Sequence, residues 1–377
     1  MRAVSVEVKA VTSRRDWREF IELPFRLHST SPWWVPPLRI ERRLFHSRRM
    51  NAYFKHAGAQ EFVARRGARV VGRVSAQCDA NYDAQHGPGT GLFGFLELED
   101  DPEVAAALLD AARGWLAERG RTRMIGPMDY TMNDECGVLI EGFEREPMIK
   151  QPWHPPYYQR LCEGAGLAKA IDLYMWELDI SDREKILPVI FELAEQAQSK
   201  HGIELRRMSR RGLSKDVKVF GEVYNASWKD NWGFVPYDDE DLKHYGEELQ
   251  LVFDKNWFMV AEKDGETVGI AITVPDVNQV LKLMNGRLLP LGWWRWLRKG
   301  KIVTRVRVGF LGVRPEYQHT GTAAMFYVEH FETATRTPQK WGEMGWILET
   351  NRAMNRGMEA MGGRIAKRYR VYESSCS

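Results

Sequence analysis

Residues 313–331 read VRPEYQHTGTAAMFYVEHF and join a strand-like run to a helix-like run. The residues before them, 302–313, nearly alternate apolar and polar side chains, which is typical of a β-strand. Pro315 ends that strand, because proline has no N–H for a strand ladder. Gly321 lets the backbone turn closely without a Cβ in the way. The stretch therefore predicts a strand, a polar loop and a helix, in that order.

A helix that begins near Gly321 directs its unpaired N–H groups and the positive end of its dipole at this loop. Such helix starts bind anions, and phosphate groups in particular. The alternative is an ordinary turn, in which Gly and Thr only reverse the chain. The context favours a phosphate site, because a second strand is predicted after the helix, at 343–349.

The loop resembles the acyl-CoA loop of the GNAT superfamily, [Q/R]-x-x-G-x-[G/A], which reads Gln318, Gly321 and Ala323 here. The resemblance implies that backbone amides of the loop hold the CoA pyrophosphate, and that the preceding strand splays from its neighbour to admit the pantetheine arm. It assigns to acyl-CoA the residues Leu311, Val313, Gln318, His319, Thr320, Gly321, Thr322, Ala323 and Asn351.

The segment after the loop carries a second part of the resemblance. Asn351 stands where the family has an asparagine that starts a helix. Met358 stands where the family often has a tyrosine that serves as general acid, so that acid is missing or comes from elsewhere. No cluster of His, Cys and Asp has metal-ligand spacing, so acyl-CoA is the expected co-substrate and no metal is expected.

The chain also repeats itself over a long period. FVARRGARVVGRVSAQCDAN at 62–81 parallels MVAEKDGETVGIAITVPDVN at 259–278, and both read as β-hairpins. Val63 matches Val260, and Gly72 matches Gly269 at the same spacing. A period this long indicates duplicated domains rather than a solenoid. We therefore expect an α/β protein of two tandem GNAT-like domains, 1–180 and 181–377, each a mixed, largely antiparallel sheet flanked by helices.

The second half is predicted to carry the acyl-CoA site and the first half is not. In the second half the helices are expected at about 184–200, 216–229, 321–335 and 352–361, and the strands at 258–263, 267–274, 302–313, 343–349 and 366–373. In the first half a strand at 92–99 leads into a helix at 103–119. Where this strand meets the helix stand Glu99, Asp100 and Asp101, at the place where phosphates would lie. Negative charge repels a pyrophosphate, so this half is expected to shape the structure or the substrate site.

The composition is that of a soluble globular protein. Of the 377 residues 44% are hydrophobic and 28% charged, and the net charge of +3 is too small to indicate nucleic acid as a partner. The four cysteines lie far apart, which argues against a zinc site or a disulfide scaffold and suits a reducing cytosol. The N-terminus lacks a secretory h-region and no apolar run is long enough to span a bilayer, so a cytoplasmic location is expected.

Transfer of an acyl group from a thioester to an amine needs a base for the amine proton and donors that polarise the carbonyl. Glu349, at the end of a predicted strand, is the leading candidate for the base, and its alternative is a solvated carboxylate. Asp230 in WKDNWGF is the second candidate, and its alternative is a turn residue. The residues assigned to acceptor binding are Trp228, Trp232, Tyr158 and Asp134.

The segment RLLPLGWWRWLRKGK at 287–301 combines tryptophans and leucines with five basic residues and no acidic ones. This mixture is typical of a membrane interface. The alternative is a packing helix whose tryptophans fill a cleft between the halves. A second basic and aromatic cluster, at 31–49, favours the lipid partner.

The duplicated halves and interfacial segments resemble a group of bacterial acyltransferases that includes the bacterial ceramide synthases. That resemblance implies N-acylation of a long-chain sphingoid base from acyl-CoA at the cytosolic membrane face. Two alternatives stay open: an acetyl-CoA-dependent N-acetyltransferase of a small or peptidic amine, and a non-catalytic module that binds acyl-CoA or membranes.

Overall fold

The computed structural model describes residues 5–376, which form two compact units. The first unit takes the chain up to Leu173, the segment Leu281–Trp293 and the chain from Lys367 onward. The second unit takes Tyr174–Val280 and Trp294–Ala366. The predicted boundary after residue 180 lies close to the first of these crossings, whereas the two later segments join the first unit through contacts that the sequence did not indicate.

Helices and strands are interspersed along the described residues. From the start to the first crossing the elements are β1 (Val6–Ala10), α1 (Arg14–Leu27), α2 (Arg39–Phe45), β2 (Ala57–Arg66), β3 (Arg69–Asp79), α3 (Ala80–His86), β4 (Thr90–Leu98), α4 (Pro102–Ala117), β5 (Arg123–Gly126), β6 (Val138–Glu141), α5 (Tyr157–Gly164) and β7 (Ala168–Asp179). The later elements are α6 (Pro188–Ser199), β8 (Glu204–Arg207), α7 (Leu213–Ser227), α8 (Asp239–Val252), β9 (Phe258–Lys263), β10 (Glu266–Pro275), α9 (Asn278–Met284), α10 (Gly292–Leu297), α11 (Lys299–Ile302), β11 (Arg305–Val313), α12 (Thr322–Arg336), β12 (Trp341–Leu348), α13 (Arg352–Ala360) and β13 (Arg364–Ser375).

Both units contain a mixed sheet with the same kind of strand pairing. In the first unit the strand order is β1-β2-β3-β4-β5-β13, and in the second it is β12-β11-β10-β9-β8. Each sheet has one parallel pair, β4 with β5 and β11 with β12, while the other pairs within these two orders are antiparallel. The predicted fold class is confirmed. Strand β13 completes the first sheet from the end of the chain, with Tyr372 opposite Gly126.

The matched glycines of the two hairpins have one physical role. A Cβ placed on Gly72 would lie 2.6 Å from the Leu108 side chain of α4. A Cβ placed on Gly269 would lie 3.1 Å from the Phe326 side chain of α12. In each unit the glycine therefore lets the helix after the fourth strand of the motif pack closely on the sheet. This helix is the one whose start decides whether phosphate can bind.

A buried arginine in the first unit compensates for a proline. Pro24 lies inside α1 and has no N–H to donate to the carbonyl of Phe20, one turn earlier. Arg73 on β3 is buried, and its Nη1 donates to that carbonyl at 2.8 Å. At the matching positions the second unit has Tyr224 in an unbroken α7 and Ile270 on β10. The buried arginine is thus present in the unit whose helix lacks a backbone N–H at Pro24, and an apolar residue takes its place in the other unit.

The predicted elements agree with the structure except at some boundaries. The strand expected to begin at 302 begins at Arg305, because Lys299–Ile302 form a helical turn. Helix α8 was not predicted, although Asp238 and Asp241 form a capping box at its start that marks it in the sequence. Among the described residues 5–376, no helix is long and apolar enough to cross a membrane.

Candidate active site

The parallel strands β11 and β12 part at the point where the site is expected. Their pairing runs from Arg305 opposite Trp341 to Val308 opposite Met344. Just beyond it β11 has a bulge at Gly309, since Val308 and Phe310 pair with consecutive residues of β10. Gly309 is exposed, and a Cβ placed on it would contact only the Ile272 carbonyl oxygen, at 3.7 Å. The second unit therefore has an accessible backbone at the bulge.

The corresponding place in the first unit is filled by main chain. The parallel pairing of β4 and β5 ends with Leu92 opposite Ile125. Beyond it the Met128 N–H donates to the Phe93 carbonyl at 2.7 Å, and the Phe95 N–H donates to Asp129 Oδ1 at 2.6 Å. A Cβ placed on Gly94 would lie 1.9 Å from the Met128 carbonyl oxygen. A pantetheine arm therefore has no room between these strands.

The helix starts of the two units also differ, because α4 has a side-chain cap and α12 has none. Helix α12 begins after Gly321 and has no side-chain cap. Helix α4 begins after Asp101, whose carboxylate accepts hydrogen bonds from the N–H groups of Glu103 and Val104. Arg66 also donates to Asp101, at 2.7 Å, and lowers its pKa against the effect of burial. The positive end of α12 is thus available to an anion, while that of α4 is already neutralised.

The loop before α12 is held in shape by its own hydrogen bonds. Pro315–Thr320 form a 3-10 helix, and Gln318 Nε2 donates to the Val313 carbonyl at 3.2 Å. Thr320 Oγ1 donates to the Tyr317 carbonyl at 2.6 Å and lies 2.7 Å from Thr322 Oγ1. Because these side chains form bonds within the loop, the groups left for a ligand are backbone N–H groups and the exposed side chain of His319.

Gly321 is required here for two reasons. Its φ of +86° is in the left-handed region, which side chains other than glycine disfavour. A Cβ on Gly321 would also lie 2.3 Å from the Leu193 carbonyl oxygen of α6. The glycine therefore lets the loop pass α6 and sets the direction of α12. The other predicted loop residues differ in exposure: Leu311 and Val313 are buried, Ala323 is half-buried and His319 is exposed.

Asn351 caps α13, as its position in the sequence suggested, and its Oδ1 accepts from the Met354 N–H at 3.1 Å. Met358 is fully buried, and the sequence of α13 contains no tyrosine that could act as the general acid. Instead the hydroxyl of Tyr327 reaches α13 from α12 and lies 3.9 Å from Met354 Sδ. Burial raises the pKa of Tyr327, which keeps it a proton donor. The sequence pattern had not singled out this residue, because it lies outside the motif.

The remaining predicted residues are spread over both units. Trp228 caps the end of α7, with its ring 5.3 Å from that of Phe310, next to the bulge. Trp232 and Glu349 are half-buried in the second unit, and Asp230 is exposed in the turn after α7. In the first unit Asp134 accepts from Thr131 and Lys150, at 2.9 and 3.3 Å.

Tyr158 lies in the core of the first unit and is fully buried. Its hydroxyl donates to Glu97 at 2.7 Å and accepts from the Leu98 N–H at 3.0 Å. These bonds give Tyr158 a structural role. The structure therefore brings Trp228 to the bulge, whereas Tyr158 and Asp134 have side chains engaged within the first unit.

Arg307 and Trp346 lie beside the parting of β11 and β12, and the sequence pattern indicated no role for either residue. Arg307 is buried, and its Nη2 donates to the Gly345 carbonyl at 3.1 Å. Its guanidinium lies over the Trp346 ring at 5.2 Å. The alternation of β11 had placed Arg307 on a strand face without indicating which face is buried, so its contact with the end of β12 required the structure.

Comparison with known proteins agrees with this geometry. No family model matches the chain. The chain is 34% identical over 372 residues to protein YghO of Escherichia coli (strain K12), covering 97% of this chain and 94% of that protein. It is 34% identical over 377 residues to the bacterial ceramide synthase of Caulobacter vibrioides, covering 98% and 97%. The chain belongs to the family of these two proteins.

Solved structures support the same fold. A tandem GNAT protein from the clavulanic acid biosynthesis pathway matches with a TM-score of 0.58 at 13% identity, covering 99% of both chains. A GCN5-related N-acetyltransferase from Sphaerobacter thermophilus matches with a TM-score of 0.54 at 12% identity, covering 98% of this chain and 96% of the other. The predicted tandem GNAT fold is confirmed, and the family assignment supports the prediction of an acyl-CoA-dependent N-acyltransferase.

Proposed function

We propose that the protein transfers a fatty acyl group from acyl-CoA to the amine of a long-chain sphingoid base at a membrane surface. The observation that carries the proposal is the contrast between the two units. The second unit has an uncapped helix start and an exposed bulge at Gly309, whereas the first has a capped helix and a filled opening. The likeness to a bacterial ceramide synthase supports the choice of acceptor.

In the proposed reaction the start of α12 holds the CoA pyrophosphate through backbone N–H groups. The neutral amine attacks the thioester carbonyl, so that a C–N bond forms, the C–S bond breaks and CoA leaves as its thiolate. Glu349 is the proposed acceptor of the amine proton. The hydroxyl of Tyr327, beside the helix that lacks the usual tyrosine, is the proposed donor to the thiolate.

The segment 287–301 supports a membrane location for the reaction. Leu289, Leu291 and Leu297 are each about two-thirds exposed or more, at 71%, 68% and 67%. Trp293 and Trp294 are half exposed, at 46% and 50%. Arg287, Arg295, Arg298 and Lys301 are exposed among them. Exposed apolar side chains this closely spaced mark an interaction surface, and the basic residues favour an anionic bilayer as its partner.

The acyl-transfer proposal is tested by mass spectrometry of products formed from long-chain bases and a panel of acyl-CoAs, with thiol release measured in parallel. N-acylated long-chain base together with stoichiometric thiol is the expected result. Product from acetyl-CoA and small amines alone would favour the N-acetyltransferase alternative. Binding of acyl-CoA without thiol release would favour a non-catalytic module.

The membrane proposal is tested by co-sedimentation with vesicles. Replacing Trp293, Trp294 and Leu297 by Ser should weaken binding to vesicles that contain anionic lipid, since each apolar side chain that enters the bilayer adds on the order of 1 kcal/mol to the binding free energy. The basic residues, which this variant keeps, add a similar amount each on anionic vesicles. A matched triple Ser variant at Leu187, Val189 and Ile365, exposed residues that lie outside both basic clusters, serves as control. Unchanged binding of the tryptophan variant, or equal binding to neutral vesicles, would contradict an electrostatic membrane contact at this segment.

A further inference from the structure

The large apolar side chains that the first unit leaves exposed are confined to two segments. Among the described residues of this unit, every such side chain that is more than a third exposed lies in 33–50 or in 283–293. The first segment contains α2 and the turn after it, and the second belongs to the stretch Leu281–Trp293, which joins this unit from the later part of the chain. Single exposed apolar residues need no explanation, but residues gathered in this way indicate an interaction surface.

The two segments are in contact with each other. The Arg39 N–H, at the start of α2, donates to the Gly286 carbonyl at 3.2 Å. Lys282 Nζ donates to the Pro32 carbonyl at 2.5 Å. Gly286 has a φ of +71°, and a Cβ placed on it would lie 2.6 Å from Arg39 Nη1 and 2.7 Å from the Phe25 ring. Because only a glycine permits this close approach, the two segments form one continuous surface.

Helix α2 has the reverse of the orientation that is usual for a surface helix. Ile40 and Leu44, one turn apart on the same face, are 53% and 50% exposed. The Arg42 side chain is only 19% exposed, packs on the Phe45 ring at 4.5 Å and pairs with Glu41 at 2.7 Å. A helix that lies on a protein core normally turns its apolar side chains inward and its charges outward. The outward apolar side chains therefore indicate that an apolar environment outside the protein covers them.

The turn after α2 holds a third apolar side chain outward. Met50 is 62% exposed. The next residue, Asn51, is buried and fixes the turn, because its Nδ2 donates to the Phe45 carbonyl at 2.8 Å. The fold itself thus builds the exposed position of Met50. We call Ile40, Leu44 and Met50 the α2 face.

The charge of this surface favours an anionic partner. The two segments contain six arginines and a single acidic residue, Glu41, which is already paired with Arg42. Arg43, Arg49 and Arg287 are exposed and form no ion pair within the described part of the chain. A second copy of the chain docked on this surface would bring the same guanidiniums together, which costs free energy. An anionic bilayer would attract them instead.

We propose that the α2 face, together with the segment 283–293, docks the first unit on an anionic lipid bilayer. The apolar side chains enter the bilayer at the level of the headgroups, and the unpaired arginines contact lipid phosphates. The inference rests on the membrane location in the proposed function, and it extends that location from the segment 287–301 to a surface that the first unit builds. The unit that lacks an acyl-CoA opening thus holds the enzyme where lipid substrates are dissolved.

The first experiment measures binding of the full chain to vesicles of phosphatidylcholine and phosphatidylglycerol, without acyl-CoA or amine. The triple variant Ile40→Ser, Leu44→Ser, Met50→Ser should bind at least about 30-fold more weakly, because each half-exposed side chain loses about half of its transfer free energy. The double variant Arg43→Gln, Arg49→Gln should also bind about 30-fold more weakly to these vesicles. Its binding to vesicles of phosphatidylcholine alone should equal that of the unaltered protein.

The matched control replaces Leu187, Val189 and Ile365 of the second unit by Ser, and it should bind like the unaltered protein. Equal binding of the α2-face variant and the unaltered protein would overturn the proposal. If only the variant of the segment 287–301 lost binding, the membrane location would stand and the α2 face would be refuted. Because no substrate is present, a failure to detect acyl transfer would not affect this result.

The second experiment locates the contact with an environment-sensitive fluorophore on Met50→Cys. Its emission should shift to shorter wavelength when anionic vesicles are added, whereas the same fluorophore on Val189→Cys should not respond. The unaltered protein, treated with the same reagent, gives the background from the native cysteines. No shift at position 50 would overturn the proposal. A dimer in sedimentation that the α2-face variant abolishes would also overturn it, since the partner would then be a second copy of the chain.

Discussion

A negative charge placed at the start of α12 should weaken CoA binding while leaving the fold slightly more stable. Ala323 is the second residue of α12 and is half-buried. Ala323→Asp would put a carboxylate where the first unit has Glu103 in the first turn of α4. Ala323→Asn is the matched control, because it has the same size and shape without the charge.

The size of the effect follows from Coulomb's law. At about 5 Å, each phosphate charge is repelled by about 1 to 3 kcal/mol, depending on how well water screens the pair. The two charges of a pyrophosphate thus cost about 2 kcal/mol or more, which is a loss of affinity of at least about 30-fold. The same carboxylate interacts favourably with the helix dipole and should raise the free energy of unfolding by about 0.3 to 1 kcal/mol.

The assay is calorimetric titration with free CoA, together with urea unfolding of both variants. We expect the Asp variant to bind CoA at least about 30-fold more weakly than the Asn variant at low salt, and this difference in affinity to narrow as salt is added. If the two variants bind CoA equally, then charge at this helix start does not matter and the phosphate site lies elsewhere. A more stable Asp variant with unimpaired CoA binding would be the clearest refutation.

Two further outcomes concern stability. Arg73→Met should lower the free energy of unfolding by about 1 to 3 kcal/mol, because it leaves the Phe20 carbonyl without a donor. The loss should be smaller in a Pro24→Ala background, where the new backbone N–H donates to that carbonyl. Urea unfolding in a double-mutant cycle measures this coupling, and additive losses of stability would disprove the compensation. Burial lowers the pKa of His330 from 6.5 to about 4. Between these two pH values the unfolded chain therefore binds a proton at His330 and the folded protein does not. The free energy of unfolding should fall by about 1.4 kcal/mol per pH unit as the pH drops from 6.5 towards 4. His330→Gln should make this fall shallower, and an unchanged slope would assign it to other groups.

The sequence by itself determined the parts of the fold that depend on local physics. The alternation before Pro315, the glycine at 321 and the apolar spacing after it predicted β11, the loop and α12 to within a few residues. The matched glycines at 72 and 269 predicted the duplication, since each needs the same missing Cβ under a helix. The acids before α4 predicted that this half does not bind a pyrophosphate, because negative charge repels phosphate; that Asp101 caps the helix was seen only in the structure.

Other features were decided only by tertiary structure, because they depend on which distant residues meet. No local pattern says that the end of the chain completes the first sheet, or that Met128 enters the opening beside Gly94. The buried contacts of Tyr130 with His46 and Glu61 were likewise invisible, since the three residues come from separate segments of the chain. Local propensity acts over a few residues, whereas burial and hydrogen bonding between remote groups exist only in the folded chain.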